Sequence, residues 1–194
     1  GADINRRIIN QSNVVATQVP HAVGSALASK IRGEKVVSIT YFGDGASSVG
    51  DCHEAMNFAA IHKLPVTFMC ENNKYAISVP LSKQMAIDSI AGRAEGYGMP
   101  GISIDGSDVR EVLQATDEAA SRARSGKGPT IIEAMVERYL PHTSDDDDSR
   151  YRDISEIEAA KSKDPLLIHK KYLLSSGILT ESMDVEICKS EKIR

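Results

Sequence analysis

Lys35-Val-Val-Ser-Ile-Thr-Tyr-Phe-Gly-Asp-Gly45 and Val66-Thr-Phe-Met-Cys-Glu-Asn-Asn73 are the two stretches of sequence that decide the fold. Each is a mostly apolar run rich in β-branched residues, which predicts a buried strand, and each ends in a short polar loop. Their separation along the chain is that of one β-α-β unit. We therefore expect both loops to lie at the same end of a parallel sheet, where such sheets bind their ligands.

The two loops carry residues suited to a metal ion. Asp44 and Asn73 are short oxygen ligands, and Mg²⁺ takes one or two protein oxygens and completes its octahedron largely from phosphates and water. Gly43 and Gly45 let the backbone approach a phosphate without a Cβ in the way. Each loop alone is also compatible with an ordinary β-turn. Together, at this spacing, they predict a Mg²⁺–diphosphate site.

The rest of the chain alternates strands and helices around these loops. We predict the following further elements: a helix over 20–31, a helix over 51–62 capped by Asp51, short helices within 74–98, a strand over 101–105, a helix capped by Ser107 or Asp108 and ending near Arg124, a strand over 130–136, and helices from 154 onward. This order predicts an α/β fold, a parallel doubly wound sheet with helices on both faces. We expect one domain over 1–152, including a polar loop at 138–152, and a helical C-terminal extension over 153–194.

Composition excludes several classes of function. The 194 residues carry a net charge of −4 and show no basic stripe, so we expect no nucleic-acid partner. No apolar run approaches the ~20 residues of a membrane span, and no signal-peptide pattern opens the chain. Cys52, Cys70 and Cys188 show no C-x-x-C spacing and are typical of thiols in a reducing compartment. No Gly-Lys-Ser/Thr follows the glycine loop, residues 43–45, which disfavours a P-loop nucleotide binder.

Three ordered motifs carry a resemblance to a known family. Residues 42–60, 71–80 and 142–152 resemble the alpha subunit of the thiamine-diphosphate-dependent 2-oxo acid dehydrogenases, and the run Thr143-Ser-Asp-Asp favours the branched-chain (2-oxoisovalerate) type. The resemblance extends from about Asn13 to Leu174 and implies the thiamin-diphosphate-binding fold. Family members are longer, so we expect this chain to be truncated at both ends.

The resemblance also implies roles for individual residues. Asp44, Asn73 and the main-chain carbonyl of Tyr75 would bind Mg²⁺, while Gly43, Gly45, Ala46, Asn73 and His142 would contact thiamine diphosphate. His142 would border the reactive carbon of the cofactor, where an imidazole can stabilise an alkoxide or move a proton.

Weaker correspondences concern the start of the chain and two departures from the family pattern. A further cofactor contact would fall near 13–15, and in some relatives K⁺ binds at the positions of Thr17 and Gln18. Glu71 stands where some members carry a phosphate-binding arginine, so that contact is not expected here. Thr143 stands where mitochondrial relatives carry a regulatory phosphoserine.

The loop 138–152 contains four consecutive aspartates. The run 145–148 lacks the glycine and the distal glutamate of a calcium-binding EF-hand loop, so we interpret it as a solvated segment. Arg138, Arg150 and Arg152 surround these carboxylates and could fold the loop through charge-assisted hydrogen bonds.

The function implied by the resemblance is oxidative decarboxylation of branched 2-oxo acids, with acyl transfer to a lipoyl group. The implied partners are a beta subunit, in an alpha2beta2 heterotetramer, and a lipoyl-bearing acyltransferase; the implied location is the bacterial cytoplasm, or the mitochondrial matrix in a eukaryote. Two alternatives stay open: an alpha subunit acting on pyruvate or acetoin, and a catalytically incompetent fragment that acts only in subunit assembly.

Overall fold

The computed structural model describes residues 2–9 and 13–192. Its strands are β1 Ser38–Gly43, β2 Val66–Asn72, β3 Tyr75–Ala76, β4 Val79–Pro80, β5 Gly101–Asp105 and β6 Thr130–Met135. Its α-helices are α1 Gln18–Ile31, α2 Gly50–Ile61, α3 Leu81–Gln84, α4 Val109–Arg124, α5 Ile154–Lys161, α6 Pro165–Ser175 and α7 Glu181–Lys192. Short 3-10 helices cover Asp44–Ser48, Ala91–Tyr97 and Asp148–Arg150.

The main sheet contains four parallel strands in the order β1-β2-β6-β5. A two-stranded antiparallel hairpin, β3-β4, follows the end of β2. The glycine loop follows β1, the asparagine loop follows β2 and the polar loop 138–152 follows β6, so each lies beyond the carboxyl end of a parallel strand. However, β1 and β5 lie at opposite edges of the sheet, so the loops after β1 and β2 are neighbours while the loop after β5 is not beside them.

Helices cover both faces of the sheet and confirm the predicted α/β class. On one face, α1, α2 and the 3-10 helix Ala91–Tyr97 enclose a core that contains Val19, Met56 and Phe68. On the other face, the alanines of α4 pack against β2 and β6. Alanine at every fourth position, as at Ala115 and Ala119, places these small side chains on one side of the helix.

The helix starts show how far local sequence signals reach. Asp108 caps α4 as expected, because its side chain accepts a hydrogen bond from the Arg110 backbone N–H at 2.9 Å. The predicted cap of α2 by Asp51 is wrong. The 3-10 helix Asp44–Ser48 runs directly into α2, so Val49 occupies the N-cap position and Asp51 lies inside the first turn.

The C-terminal segment is helical, as expected. Asp153 and Asp164 cap α5 and α6, and Pro165 opens α6, where a missing N–H costs nothing. The division into 1–152 and 153–194 stays a prediction, and residues 1, 10–12, 193 and 194 of those ranges lie outside the described residues. Among the helices described, none is both long enough and apolar enough to cross a membrane.

Candidate functional site

The glycine loop holds Asp44 in a fixed and buried position. Asp44 begins the 3-10 helix at the end of β1 and is only 1% exposed. Ser47 Oγ donates to the Asp44 carbonyl at 2.7 Å, and the guanidinium of Arg93 donates to the Ser47 carbonyl at 2.7 Å. Gln84 Nε2 donates to Asp44 Oδ2 at 3.1 Å. The loop is therefore fixed by contacts from two later segments of the chain.

The two glycines of this loop have different structural roles. A Cβ at Gly45 would lie 2.7 Å from the Cβ of Ala76, which is closer than real side chains approach. At Gly43 the nearest heavy atom to such a Cβ is the Glu71 carbonyl, 4.0 Å away. Gly45 is thus required by close packing of the glycine loop on the β3-β4 hairpin, a reason that the sequence did not indicate.

The asparagine loop, residues 72–75, contacts the glycine loop. The Asn73 backbone N–H donates to Asp44 Oδ1 at 3.4 Å, a long contact that places the two predicted metal ligands side by side. Asn73 Oδ1 accepts the backbone N–H of Tyr75 at 3.1 Å, and Lys74 adopts a left-handed backbone with φ of 71°. The structure therefore brings Asp44, Asn73 and Tyr75 together at one point of the sheet.

A buried carboxylate that sequence reasoning missed supports the asparagine loop. Glu133 in β6 is 1% exposed and accepts hydrogen bonds from Asn72 Nδ2 at 2.7 Å and Ser89 Oγ at 2.6 Å. It also accepts the backbone N–H groups of Ile90 at 3.0 Å and Ala91 at 3.1 Å. Burial alone would raise the pKa of Glu133, but these hydrogen bonds outweigh it and hold the pKa below its usual value.

Glu133 acts on the loop through Asn72. The Asn72 side chain donates to Glu133, and its Oδ1 accepts the Lys74 backbone N–H at 2.9 Å. A signal for this role existed in the sequence: a glutamate in the middle of an apolar strand must find partners if both faces of the sheet are covered.

Tyr75 links the asparagine loop to the polar loop 138–152. Its hydroxyl donates to Glu156 Oε2 at 3.0 Å, and the guanidinium of Arg152 lies 5.4 Å from the centre of its ring. Arg152 is buried and donates to the Arg138 carbonyl at 2.7 Å. Burial and the hydrogen bond to Glu156 raise the pKa of Tyr75.

The loop that carries His142 is folded by its aspartates. Asp146 Oδ2 accepts the Tyr151 hydroxyl at 2.5 Å and the His142 backbone N–H at 2.8 Å, and these hydrogen bonds hold the pKa of Asp146 below its usual value. Asp148 pairs with Arg152 at 3.5 Å, so the predicted charge-assisted contact is confirmed for Arg152. His142 itself is exposed. Within the described residues no hydrogen bond or ion pair joins it to Asp44, Asn73 or Tyr75.

The other predicted residues have hydrogen-bond partners elsewhere or are exposed. Thr17 Oγ1 donates to the Val14 carbonyl at 3.0 Å, and Gln18 Nε2 donates to the Tyr41 carbonyl at 3.0 Å. Glu71 and Thr143 are exposed.

A separate cleft of about 450 Å³ lies at the ends of β5 and β6. Lys74 and Lys163 line it, and both pair with Glu137, at 3.0 and 3.9 Å. It contains neither Asp44 nor Asn73, so we place the candidate site at the contact between those two residues instead.

Comparison with known proteins places the chain in a family. Residues 2–193 match the family of the dehydrogenase E1 component, and the chain belongs to it. Over 178 residues it is 54% identical to the 2-oxoisovalerate dehydrogenase subunit alpha of Bacillus subtilis (strain 168), covering 92% of this chain and 54% of that protein.

Two further relatives show the range of named substrates. The 3-methyl-2-oxobutanoate dehydrogenase subunit alpha of Mycobacterium tuberculosis (strain ATCC 25618 / H37Rv) is 44% identical, over 92% of this chain and 48% of that protein. The pyruvate dehydrogenase E1 component subunit alpha of Staphylococcus aureus (strain N315) is 46% identical, over 92% of this chain and 49% of that protein. The chain spans about half the length of these relatives. The resemblance to E1 alpha subunits is thereby confirmed.

Proposed function

We propose that this chain is the metal- and diphosphate-binding part of the alpha subunit of a branched-chain 2-oxo acid dehydrogenase. The observation that carries the proposal is the contact between the glycine loop and the asparagine loop, where the Asn73 backbone nitrogen lies 3.4 Å from Asp44 Oδ1. The reaction would be oxidative decarboxylation of a branched 2-oxo acid, followed by acyl transfer to a lipoyl group.

The residues at this contact fit a Mg²⁺–diphosphate group. Asp44 offers a carboxylate, Asn73 an amide oxygen and Tyr75 a main-chain carbonyl, which are all hard oxygen ligands of the kind that Mg²⁺ prefers. A cation there would neutralise the buried charge of Asp44. The backbone of Gly43, Gly45 and Ala46 would contact the diphosphate. Thiamine diphosphate, when bound, supplies an electron sink for decarboxylation.

Three further roles belong to this proposal. His142 would hold or move a proton at the reactive end of the cofactor, because an imidazole can serve as either a proton donor or a proton acceptor. K⁺ would bind near Thr17 and Gln18. The amide nitrogen of Gln18 donates to the Tyr41 carbonyl, so the amide oxygen of Gln18 is the atom that would meet the ion. A further cofactor contact would come from residues 13–15.

The partners follow from the reaction. A beta subunit would complete an alpha2beta2 enzyme, and a lipoyl-bearing acyltransferase would accept the acyl group. The relatives described above come from bacteria, and we accordingly propose a bacterial cytoplasmic location.

Substrate assays on the complete alpha–beta assembly test this function. The full-length alpha subunit is combined with its beta subunit, Mg²⁺ and thiamine diphosphate, and kcat/KM is compared for 3-methyl-2-oxobutanoate, pyruvate and acetoin. We expect the branched 2-oxo acid to give the highest value. A preference for pyruvate would favour the second candidate, which the 46% identity to the Staphylococcus aureus subunit supports. Stable assembly without activity on any of the three would leave only a role in subunit assembly.

A further inference from the structure

Gln84 stands at the end of the short helix α3, next to the predicted metal ligand Asp44. Its Nε2 donates to Asp44 Oδ2 at 3.1 Å and to the Val79 carbonyl at 3.0 Å. Both partners are acceptors, so only the nitrogen of the amide can face them, and this fixes the orientation of the whole group.

The other end of the Gln84 amide is unusual. Its Oε1 is buried without a hydrogen-bond partner among the described residues, and it lies 4.0 Å from the position that a Cβ on Gly45 would take. A buried polar atom without a partner is costly, and such atoms are rare in folded proteins. This one faces the backbone of the glycine loop.

The two oxygens of Asp44 are held unequally. Oδ2 accepts the 3.1 Å hydrogen bond from Gln84, whereas Oδ1 has only the long 3.4 Å contact with the Asn73 backbone. The Gln84 contact therefore fixes the rotation of the carboxylate and leaves Oδ1 as the oxygen that a cation would meet.

We propose that Gln84 is a positioning residue for the metal site: it orients the Asp44 carboxylate through its hydrogen bond to Oδ2, while its buried Oε1 lies against the glycine loop that carries Asp44. The inference rests on the proposed function. Partners that orient metal ligands typically change metal affinity by about 10–100-fold when they are removed.

Gln84→Met and Gln84→Ala in the complete alpha–beta assembly test the proposal. Methionine has a similar length and shape but cannot donate to Asp44. Calorimetry gives the Mg²⁺ concentration for half-maximal thiamine diphosphate binding, and the melting temperature is measured with neither ligand present. Lys83→Ala, at the exposed neighbouring position of α3, is the matched control.

We expect both Gln84 variants to need about 10–100-fold more Mg²⁺, with melting temperatures close to the wild type and kcat restored at saturating Mg²⁺. The control should keep the wild-type Mg²⁺ requirement. Unchanged Mg²⁺ affinity in Gln84→Met would overturn the proposal, and so would a large loss of melting temperature without ligands in both variants, because the role would then be structural.

Asp44→Ala, measured in parallel, separates this inference from the proposed function. If Asp44→Ala loses Mg²⁺-dependent binding while Gln84→Met keeps it, only the role of Gln84 is refuted. If Asp44→Ala keeps it as well, the proposed metal site is refuted.

Discussion

Glu133→Gln should destabilise the fold by an amount that its surroundings define. Glu133 Oε1 accepts Asn72 Nδ2 and the Ile90 N–H, and Oε2 accepts Ser89 Oγ and the Ala91 N–H. An amide NH₂ in place of either oxygen would face a backbone N–H, so at least one buried donor loses its acceptor. That loss and the lost charge assistance together amount to about 2–4 kcal/mol.

Urea unfolding of the chain measures this change directly. Glu118→Gln, on the exposed side of α4, is the control and should stay within about 0.5 kcal/mol of the wild type. The pH dependence of the free energy of unfolding gives a second, independent test. Because the folded pKa of Glu133 is lowered, its ionisation contributes stability above the unfolded pKa of about 4.3, and that contribution is lost as the pH falls further toward the folded pKa.

The difference between wild type and Glu133→Gln should therefore shrink below about pH 4. A variant as stable as the wild type at neutral pH would show that the hydrogen bonds of Glu133 do not stabilise the fold, as would a difference that grows on acidification.

Three other predictions follow from the same loops. Gly45→Ala should cost about 1–3 kcal/mol of folding stability, whereas Gly43→Ala should cost much less, because only a Cβ at position 45 would meet Ala76, at 2.7 Å; equal losses of stability in urea unfolding would contradict this. Tryptic cleavage near Arg150 in the alpha–beta assembly should slow when thiamine diphosphate and Mg²⁺ are added, since Tyr75 connects the two loops; identical cleavage rates would argue against cofactor-linked ordering. His142→Ala in the full complex should lower acyl transfer by about 10²–10⁴-fold with little change in cofactor affinity, and the reverse pattern would make it a binding residue.

The sequence predicted the elements that depend on local signals. Apolar runs before Gly43 and Asn72 correctly marked β1 and β2, although β1 begins at Ser38 and not at Lys35. Asp108 correctly marked the start of α4, because a capping carboxylate acts on the next turn of the same helix. The pairing of a glycine loop with an asparagine loop was predictable as well, because parallel strands end at the same side of a sheet.

Features that depend on tertiary packing were not predictable in the same way. The position of β6 between β2 and β5 is set by long-range pairing. Gln84 reaches Asp44 only because the β3-β4 hairpin turns α3 back over the glycine loop. The failed cap at Asp51 has the same origin, since the preceding 3-10 helix decides where α2 begins.

The most direct test of the central claim is Mg²⁺-dependent binding of thiamine diphosphate to the complete alpha–beta assembly with and without Asp44→Ala. Calorimetry measures the affinity, and circular dichroism confirms that the variant keeps its fold. We predict that Asp44→Ala abolishes the Mg²⁺-dependent binding while the fold stays intact. Unchanged cofactor affinity in a folded Asp44→Ala assembly would contradict it.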